Sequence, residues 1–247
     1  QFFTRMIPAA LYRIRWWSVA VCGVCLLLMA LAGVWTGTHP DVMDQMMPPA
    51  EQLDYVHEAF ESYYSEYPNA SFTALVWTNN ARIAAICIAS GLSAIYPAYV
   101  LFTNSVDLGL VAAVMHHHDA DWLFYSLILP HGLLELTCIF VAGAAGLRLF
   151  WAWLVPGVRT RAQSLAQEGR SMIVVVVALT IGLFISGLLE GFVTPSQADP
   201  WVKIGLGAIA CVGFWFTTFV VGRRAVALGT DPGLNDEEAR NLVAAIG

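Results

Sequence analysis

Charged side chains are scarce in this chain: Asp, Glu, Lys and Arg make up 12% of its 247 residues, whereas hydrophobic residues make up 58%. Soluble domains carry about 25% charged residues, so the composition argues against a soluble globular protein. The charges that are present lie between long apolar runs, several of them close to the ~20 residues that a helix needs to cross a bilayer. The composition therefore predicts an all-α, polytopic membrane helix bundle.

The sequence motifs of several enzyme classes are also missing. There is no HExxH of the zincin proteases, no GxSxG nucleophile elbow and no Gly-rich phosphate loop ending in Lys-Ser or Lys-Thr. A basic groove for nucleic acid is missing as well. The sequence thus offers no assembled nucleophile and base, predicts no cofactor and no nucleic-acid partner, and favours a protein without enzymatic activity.

Six apolar stretches account for the predicted crossings, and together they define a transmembrane domain over residues 16–224. The third is short enough to be a half-span or one arm of a re-entrant hairpin, but counting it as a crossing keeps the arginine-rich loops on one side of the membrane. The lipid bilayer is therefore the first predicted partner. The predicted crossings are 16–36, 81–102, 106–116, 122–147, 172–193 and 204–221.

The segments outside the crossings have distinct compositions. Residues 1–15 mix apolar residues with three arginines, a pattern typical of an interfacial helix on anionic headgroups. The outer loop over residues 38–71 contains no Lys or Arg, and hydrophobic residues recur there at helical spacing among acids, which predicts a short acidic outer helix. Residues 225–247 form an acidic tail with a capping pattern for one more short helix. The hydrophobic positions of the outer helix are Leu53, Val56, Phe60 and Tyr64.

Arginines are concentrated on one side of the predicted topology. They precede the first crossing, separate the fourth from the fifth and follow the sixth, whereas the short loop between the fifth and sixth crossings holds a single Lys203. Because cytoplasmic loops carry an excess of Lys and Arg, we predict a multi-pass protein of the plasma membrane with both termini in the cytoplasm.

The fourth crossing contains a histidine and a carboxylate inside an apolar helix. His131 and Glu135 are four residues apart and therefore share one helix face, and ionisable groups within hydrocarbon are costly, by about 2.5–3.5 kcal/mol each. Pro130 cannot donate a backbone hydrogen bond, which predicts a kink or a break just above His131 and Gly132. Broken helices commonly mark substrate or ion sites, and a kink made only for packing is the equally weighted alternative.

Polar residues of two further crossings are expected at a similar depth. Glu190 lies in the outer half of the fifth crossing, and Arg82 lies near the outer end of the second. An arginine at that depth needs a carboxylate, so we predict that Arg82 pairs with Glu190 in the first place and with Glu135 in the second. The predicted intramembrane polar cluster comprises Pro130, His131, Gly132, Glu135, Glu190, Arg82, Asn79 and Asn80.

Small residues at helical spacing predict close contacts between helices. Gly187 and Gly191 form a GxxxG pair in the fifth crossing, and Gly143 and Gly146 lie in the fourth. Together with the apolar sixth crossing, the GxxxG pair favours a homodimer.

Three consecutive histidines follow the third crossing. His116, His117, His118 and Asp119 are residue types that bind Zn²⁺. Adjacent histidines point in different directions, however, so an exposed polar turn is the favoured interpretation and a metal site the alternative.

The motifs of three crossings resemble one known family. Leu-Pro-His-Gly-Leu-Leu-Glu at 129–135, with Ala-Gly-Ala-Ala-Gly-Leu-Arg at 142–148, is similar to the hallmark segment of the stage II sporulation protein M family of integral membrane proteins. The Asn-Asn pair at 79–80 and the carboxylate-bearing segment 185–195 are similar to two weaker features of that family. The resemblance extends over residues 16–224. It implies a non-enzymatic membrane component that, in spore-forming bacteria, gathers peptidoglycan-degrading partners during engulfment.

Three functions remain open at this point. The favoured one is a membrane scaffold or assembly component that recruits envelope-remodelling or other membrane partners. The alternative is a transporter or permease that uses His131, Glu135 and Glu190 as a proton or substrate path. An intramembrane metal-dependent hydrolase comes last.

Overall fold

A computed structural model describes residues 1–59 and 69–233 of the chain. Six helices in this part are long and apolar enough to cross a membrane, as predicted, and the described residues contain no strand. Two short helices, α2 (Pro40–Met46) and α3 (Pro49–Asp54), follow the first long one. The long helices are α1 (Phe2–Thr38), α4 (Asn69–Ala89), α5 (Ile95–His117), α6 (Asp121–Leu154), α7 (Arg161–Val193) and α8 (Pro200–Ala227).

Helix α6 is the centre of the bundle and packs against the five other long helices. Ten consecutive residues, from Thr137 to Gly146, are buried, so this part of α6 is covered on all sides. The run consists largely of Gly, Ala and other small residues, which let neighbouring backbones approach closely. A Cβ atom on Gly146 would lie 2.5 Å from the Cys87 carbonyl oxygen of α4, and one on Gly143 would lie 2.6 Å from the Leu101 side chain of α5.

The GxxxG pair of α7 packs within the chain. Gly187 faces α4, where an added Cβ would lie 3.4 Å from the Thr73 carbonyl oxygen and 3.5 Å from Trp77 Cβ. Gly191 is buried in the same bundle. Since this surface is already covered by α4, it no longer supports the predicted homodimer.

The N-terminal segment differs from the prediction of a separate interfacial helix over residues 1–15. It is the first part of α1, and its residues Ala9, Ala10 and Ile14 are completely buried. A Cβ added to Gly222 of α8 would collide with the Pro8 carbonyl oxygen, so the two helices touch through their backbones. The arginines that suggested a headgroup surface alternate with residues that face the bundle, and α1 is one helix of 37 residues.

The second and third crossings also differ from the prediction. The predicted crossing over 81–102 is interrupted by a turn at residues 90–94, in which Ala94 has a left-handed φ of 56°. The second crossing is α4, and the third is α5, a full helix of 23 residues instead of a short segment. Hydropathy alone does not reveal this turn, because it is built from small or apolar residues that continue the hydrophobic run.

The two ends of the bundle are distinct. At the arginine end, Arg5, Arg159 and Arg170 line one cavity of about 980 Å³. At the loop end, the Trp122 ring of α6 and the Trp201 ring of α8 lie 5.1 Å apart. Part of the predicted acidic outer helix is present at the loop end as α3 and one following π-helical turn, Tyr55–Ala59. Its expected residues Phe60 and Tyr64, and the tail from residue 234 onward, lie outside the described residues.

Candidate functional site

Two helices bring His131, Glu135 and Glu190 together near the loop end. His131 and Glu135 lie one turn apart on α6, and Glu190 lies in the π-helical turn, Leu189–Val193, that ends α7. One ligand atom from each of the three side chains lies within 4.8 Å of the others. A π-helical turn adds a residue to the helical repeat and is frequent at functional sites, and here it carries Glu190. We call these three residues the carboxylate–histidine cluster.

The sequence predicted a kink or a break of α6 at Pro130, and the structure shows no break. The helix continues without interruption through the proline from Asp121 to Leu154. On the outside of this turn, a Cβ added to Gly207 of α8 would lie 2.8 Å from the Leu129 carbonyl oxygen. The glycine therefore allows α8 to cover the backbone next to Pro130, and His131 belongs to an intact helix.

Glu135 is oriented by two neutral side chains. Asn80 Nδ2 of α4 donates a hydrogen bond of 2.9 Å to Glu135 Oε1, and Ser186 Oγ of α7 lies 3.3 Å from Glu135 Oε2. Ser186 Oγ also lies 3.1 Å from the His131 carbonyl oxygen. Three helices therefore meet at Glu135 through polar contacts that carry no positive charge.

His131 is 5% exposed and is oriented by a threonine that follows α7. Its Nδ1 atom lies 3.3 Å from Thr194 Oγ1, and Thr194 Oγ1 donates a hydrogen bond of 3.2 Å to the Leu189 carbonyl oxygen. The other ring nitrogen, Nε2, lies 4.0 Å from Glu190 Oε1, a distance too long for a hydrogen bond.

Glu190 is the group that its surroundings satisfy least. The residue is 4% exposed, and within the part of the chain that the structure describes its Oε2 atom has no hydrogen-bond partner. Burying a carboxylate oxygen without a partner is costly. The described residues therefore leave one oxygen of the carboxylate–histidine cluster without a donor.

Arg82 does not join this cluster, and its predicted ion pair with Glu190 or Glu135 is wrong. Its side chain is exposed on α4, and no ion pair of Arg82 is found among residues 1–59 and 69–233. Helical periodicity explains the difference, because Asn80 and Arg82 are two residues apart and point to different sides of the helix. Asn80 points to Glu135, whereas Asn79 is exposed together with Arg82.

The three consecutive histidines do not form the alternative metal site. His116 Nδ1 lies 3.0 Å from Asp121 Oδ1, and His118 Nε2 lies 3.1 Å from Gln52 Oε1 of α3. Asp119 turns the chain with a φ of 56°. Among the described residues, His131, Glu135 and Glu190 are the group of three His, Cys, Asp or Glu side chains whose ligand atoms lie close together.

Sequence reasoning missed two residues of the site, Ser186 and Thr194. A signal for them exists: Ser186, Glu190 and Thr194 recur every four residues, a spacing that places polar groups on one face of a helix. All three are buried.

A second buried carboxylate, also missed, lies at the arginine end. Glu168 of α7 is 5% exposed and accepts hydrogen bonds from Arg13 of α1 and Arg148 of α6. Arg13 binds it in a bidentate manner, with distances of 3.1 Å from Nε to Oε2 and 2.6 Å from a terminal guanidinium nitrogen to Oε1. Arg148 contributes a third hydrogen bond of 2.9 Å. We call this group the arginine–glutamate cluster.

The comparison with known families agrees with the motifs of this site. The family model described as stage II sporulation protein M matches residues 22–195. The chain belongs to the stage II sporulation protein M family. The match includes all three residues of the carboxylate–histidine cluster together with Asn80, Ser186 and Thr194. No curated protein and no solved structure shows significant similarity to the chain.

Proposed function

We propose that this member of the stage II sporulation protein M family is a non-enzymatic scaffold of the plasma membrane that recruits envelope-remodelling or other membrane proteins. Family membership supports the scaffold role. The observation that carries the proposal is the presence of ionisable side chains on the outer surface of two spanning helices, Arg82 on α4 and Asp107 on α5.

Asp107 is exposed in the middle of α5. It lies 12 residues after Ile95 and 10 residues before His117, so about 15 Å of helix separates it from the nearer end. The same helix exposes Tyr99 and Phe102, which are 62% and 55% accessible. Asp107 forms no ion pair with any residue that the structure describes.

Arg82 belongs to a continuous exposed stripe of α4. Leu75, Asn79, Arg82 and Ile86 are exposed at the three- and four-residue spacing of one helix face. Arg82 lies seven residues before the end of the helix at Ala89, which corresponds to about 10 Å. An arginine at that depth can extend toward the nearer headgroups, but an aspartate in mid-helix has no comparable reach.

Charged side chains inside a membrane usually face the interior of a bundle or a water-filled cavity. In this chain Asp107 and Arg82 face outward, and hydrocarbon would not solvate Asp107, which lies too far from the headgroups to reach them. Another membrane protein that contributes polar or oppositely charged groups would remove this cost, and such a contact is what recruitment requires. The concentration of arginines at one end supports cytoplasmic termini by the positive-inside rule.

In-membrane cross-linking tests the scaffold role. A photoreactive amino acid is placed at Ile86 or Phe102, beside the outward charges, and at Ile209 of α8 as a matched control that is 70% exposed. We expect adducts with other proteins from the first two positions, and a several-fold reduction of those adducts when Asp107→Asn and Arg82→Gln are combined.

Several outcomes would contradict the proposal. These are equal adducts from Ile209, adducts that do not depend on the two charges, and adducts that contain only a second copy of this chain. The last result would indicate self-association in place of recruitment.

The alternative function is a transporter that uses the carboxylate–histidine cluster as a path. The buried, incompletely bonded Glu190 favours it. An apolar cavity of about 880 Å³ lies between α1, α5, α6 and α8, but it is lined by Gly132, Leu133 and Thr137 of α6 and not by His131, Glu135 or Glu190. The cavity and the cluster thus lie on different faces of α6, and this separation is why we favour the scaffold. Flux of protons or cations through reconstituted protein, abolished by Glu190→Gln, would reverse that preference.

A further inference from the structure

We propose that His131, Glu135 and Glu190 form a binding site for one divalent metal ion, for which Zn²⁺ is the probe of choice. The site is independent of the outward charges on α4 and α5, so it can be correct whether or not the scaffold role is.

The donor set suits such an ion. One imidazole nitrogen and two carboxylate oxygens are ligands that Zn²⁺ accepts at about 2.0–2.2 Å, with a fourth position left for water or another group. Ligands at that distance lie roughly 3.4 Å apart in a tetrahedral arrangement. The three ligand atoms here lie within 4.8 Å of one another, so small side-chain rotations of the two glutamates would close the site.

The hydrogen bonds of His131 indicate which ring nitrogen faces the ion. Thr194 Oγ1 donates to the Leu189 carbonyl oxygen and therefore accepts the proton of His131 Nδ1. In the tautomer with the proton on Nδ1, the lone pair of Nε2 is available to a metal ion, and Nε2 lies 4.0 Å from Glu190 Oε1. A metal ion between these two atoms would bond to both.

The charges of the cluster point to the same conclusion. Glu135 and Glu190 contribute two carboxylates, and neither forms an ion pair with a lysine or arginine in the described part of the chain. Lys203 donates its hydrogen bond of 2.8 Å to the Thr194 carbonyl oxygen. A divalent cation would neutralise both carboxylates and would also bind Glu190 Oε2, which has no hydrogen-bond partner in that part of the chain.

The residues around the three ligands resemble the outer groups of known metal sites. A ligating histidine usually donates its second N–H to an oxygen that fixes its orientation, and Thr194 occupies that position. Asn80 and Ser186 contact the two oxygens of Glu135. Substitution of such outer groups typically weakens metal affinity by about 10–100-fold.

The experiment measures zinc binding to the full chain in lipid nanodiscs. The protein is stripped with a chelator, re-equilibrated with Zn²⁺ and analysed for bound metal, for its dissociation constant and for its thermal midpoint. We expect one Zn²⁺ per chain and a rise in Tm with zinc. Glu190→Gln should lose stoichiometric binding and the rise in Tm, and Thr194→Val should weaken binding by about 10–100-fold.

A matched control removes the competing histidines. The combined variant His116→Gln, His117→Gln and His118→Gln alters the exposed turn at the loop end, which is the other histidine-rich part of the described chain. It should bind one Zn²⁺ with unchanged affinity. If zinc binding is lost in this variant and kept in Glu190→Gln, the proposal is overturned.

Glu190→Gln should shift Tm in opposite directions in the metal-free and the zinc-bound protein. Without metal, the substitution replaces a buried carboxyl group whose Oε2 atom has no hydrogen-bond partner among the described residues, and it should raise Tm, whereas with saturating zinc the wild type should be the more stable of the two. If Glu190 served only in packing, the substitution would shift Tm in the same direction in both forms. If the wild type binds no zinc and its Tm falls as the pH rises, the two carboxylates share a proton instead of a metal, and the proposal fails.

Discussion

The arginine–glutamate and carboxylate–histidine clusters both bury carboxylates between helices, yet their charges are arranged in opposite ways. At the arginine end, two guanidinium groups surround Glu168 with three hydrogen bonds of 3.1 Å or less. At the loop end, Glu135 and Glu190 lie beside one histidine. Neither carboxylate forms an ion pair with a lysine or arginine in the described residues, and Glu190 Oε2 has no hydrogen-bond partner there.

This difference separates a structural contact from a candidate binding site. Glu168 connects α1, α6 and α7 and needs nothing further, since its charge is balanced by Arg13 and Arg148. Glu190 is buried, and its Oε2 atom has no hydrogen-bond partner among the described residues. Such a group either binds something or lowers stability, because a buried polar atom without a partner is costly.

Glu168→Gln is expected to have the largest effect. Removing the carboxylate leaves Arg13 and Arg148, each with a side chain 27% exposed, without the acid that binds them both. We expect a loss of about 3 kcal/mol, at the lower end of the values for broken buried pairs because both guanidinium groups keep some access to the surface. Thermal unfolding in nanodiscs measures the change. A metal-free Glu168→Gln variant as stable as the metal-free Glu190→Gln variant would show that the two clusters do not differ as described.

Gly207→Ala is expected to disturb the carboxylate–histidine cluster and to leave the arginine–glutamate cluster unchanged. Its new Cβ would lie 2.8 Å from the Leu129 carbonyl oxygen, which is backbone and cannot rotate away, so α8 must move off α6 beside His131. We expect a loss of about 2 kcal/mol and weaker zinc binding, with the contacts of Glu168 unchanged.

The control for this variant is Gly213→Ala in the same helix, where a Cβ would meet nothing within 4 Å. It should remain within about 0.5 kcal/mol of the wild type. Equal losses at both positions would refute a local effect on the loop end.

Arg13→Lys is expected to have the smallest effect. A lysine keeps the positive charge but cannot reproduce the two hydrogen bonds that Arg13 donates to the two oxygens of Glu168. Arg148 remains bound, so the expected loss is about 1 kcal/mol. Denaturant titration of the wild type, Arg13→Lys and Arg13→Gln gives the order of stability. If lysine matches arginine, bidentate geometry adds nothing and charge alone holds this cluster together.

Much of the fold could be predicted because each crossing must be apolar over a length set by the bilayer. The number of crossings and the placement of His131 and Glu135 on one face of α6 followed from this requirement. The boundary between α4 and α5 did not, because the turn at residues 90–94 contains Gly91, Leu92 and Ala94, which look like helix interior to a hydropathy scale.

Which residues the polar side chains contact was harder to predict than which polar side chains lie within the crossings. Asn80 and Arg82 both looked suited to a carboxylate, but helical periodicity turned Asn80 to Glu135 and Arg82 to the surface. Glu168 was overlooked among the arginines that set the predicted orientation. A lone acid in an arginine-rich stretch is a usable signal, although it does not say which two arginines will be the partners.

The sequence by itself determined that this chain is a six-helix membrane bundle with ionisable groups inside its spans. Both properties depend only on the types of the residues and their spacing, through hydropathy and the cost of burying charge. The tertiary structure decided which of those groups meet. It paired Glu168 with two arginines 155 and 20 residues away along the chain. It placed Glu190 opposite His131, with its Oε2 atom lacking a hydrogen-bond partner among the described residues, and placed Arg82 and Asp107 on the outside. These outcomes depend on how the helices rotate and pack about α6, which the amino-acid sequence alone does not specify.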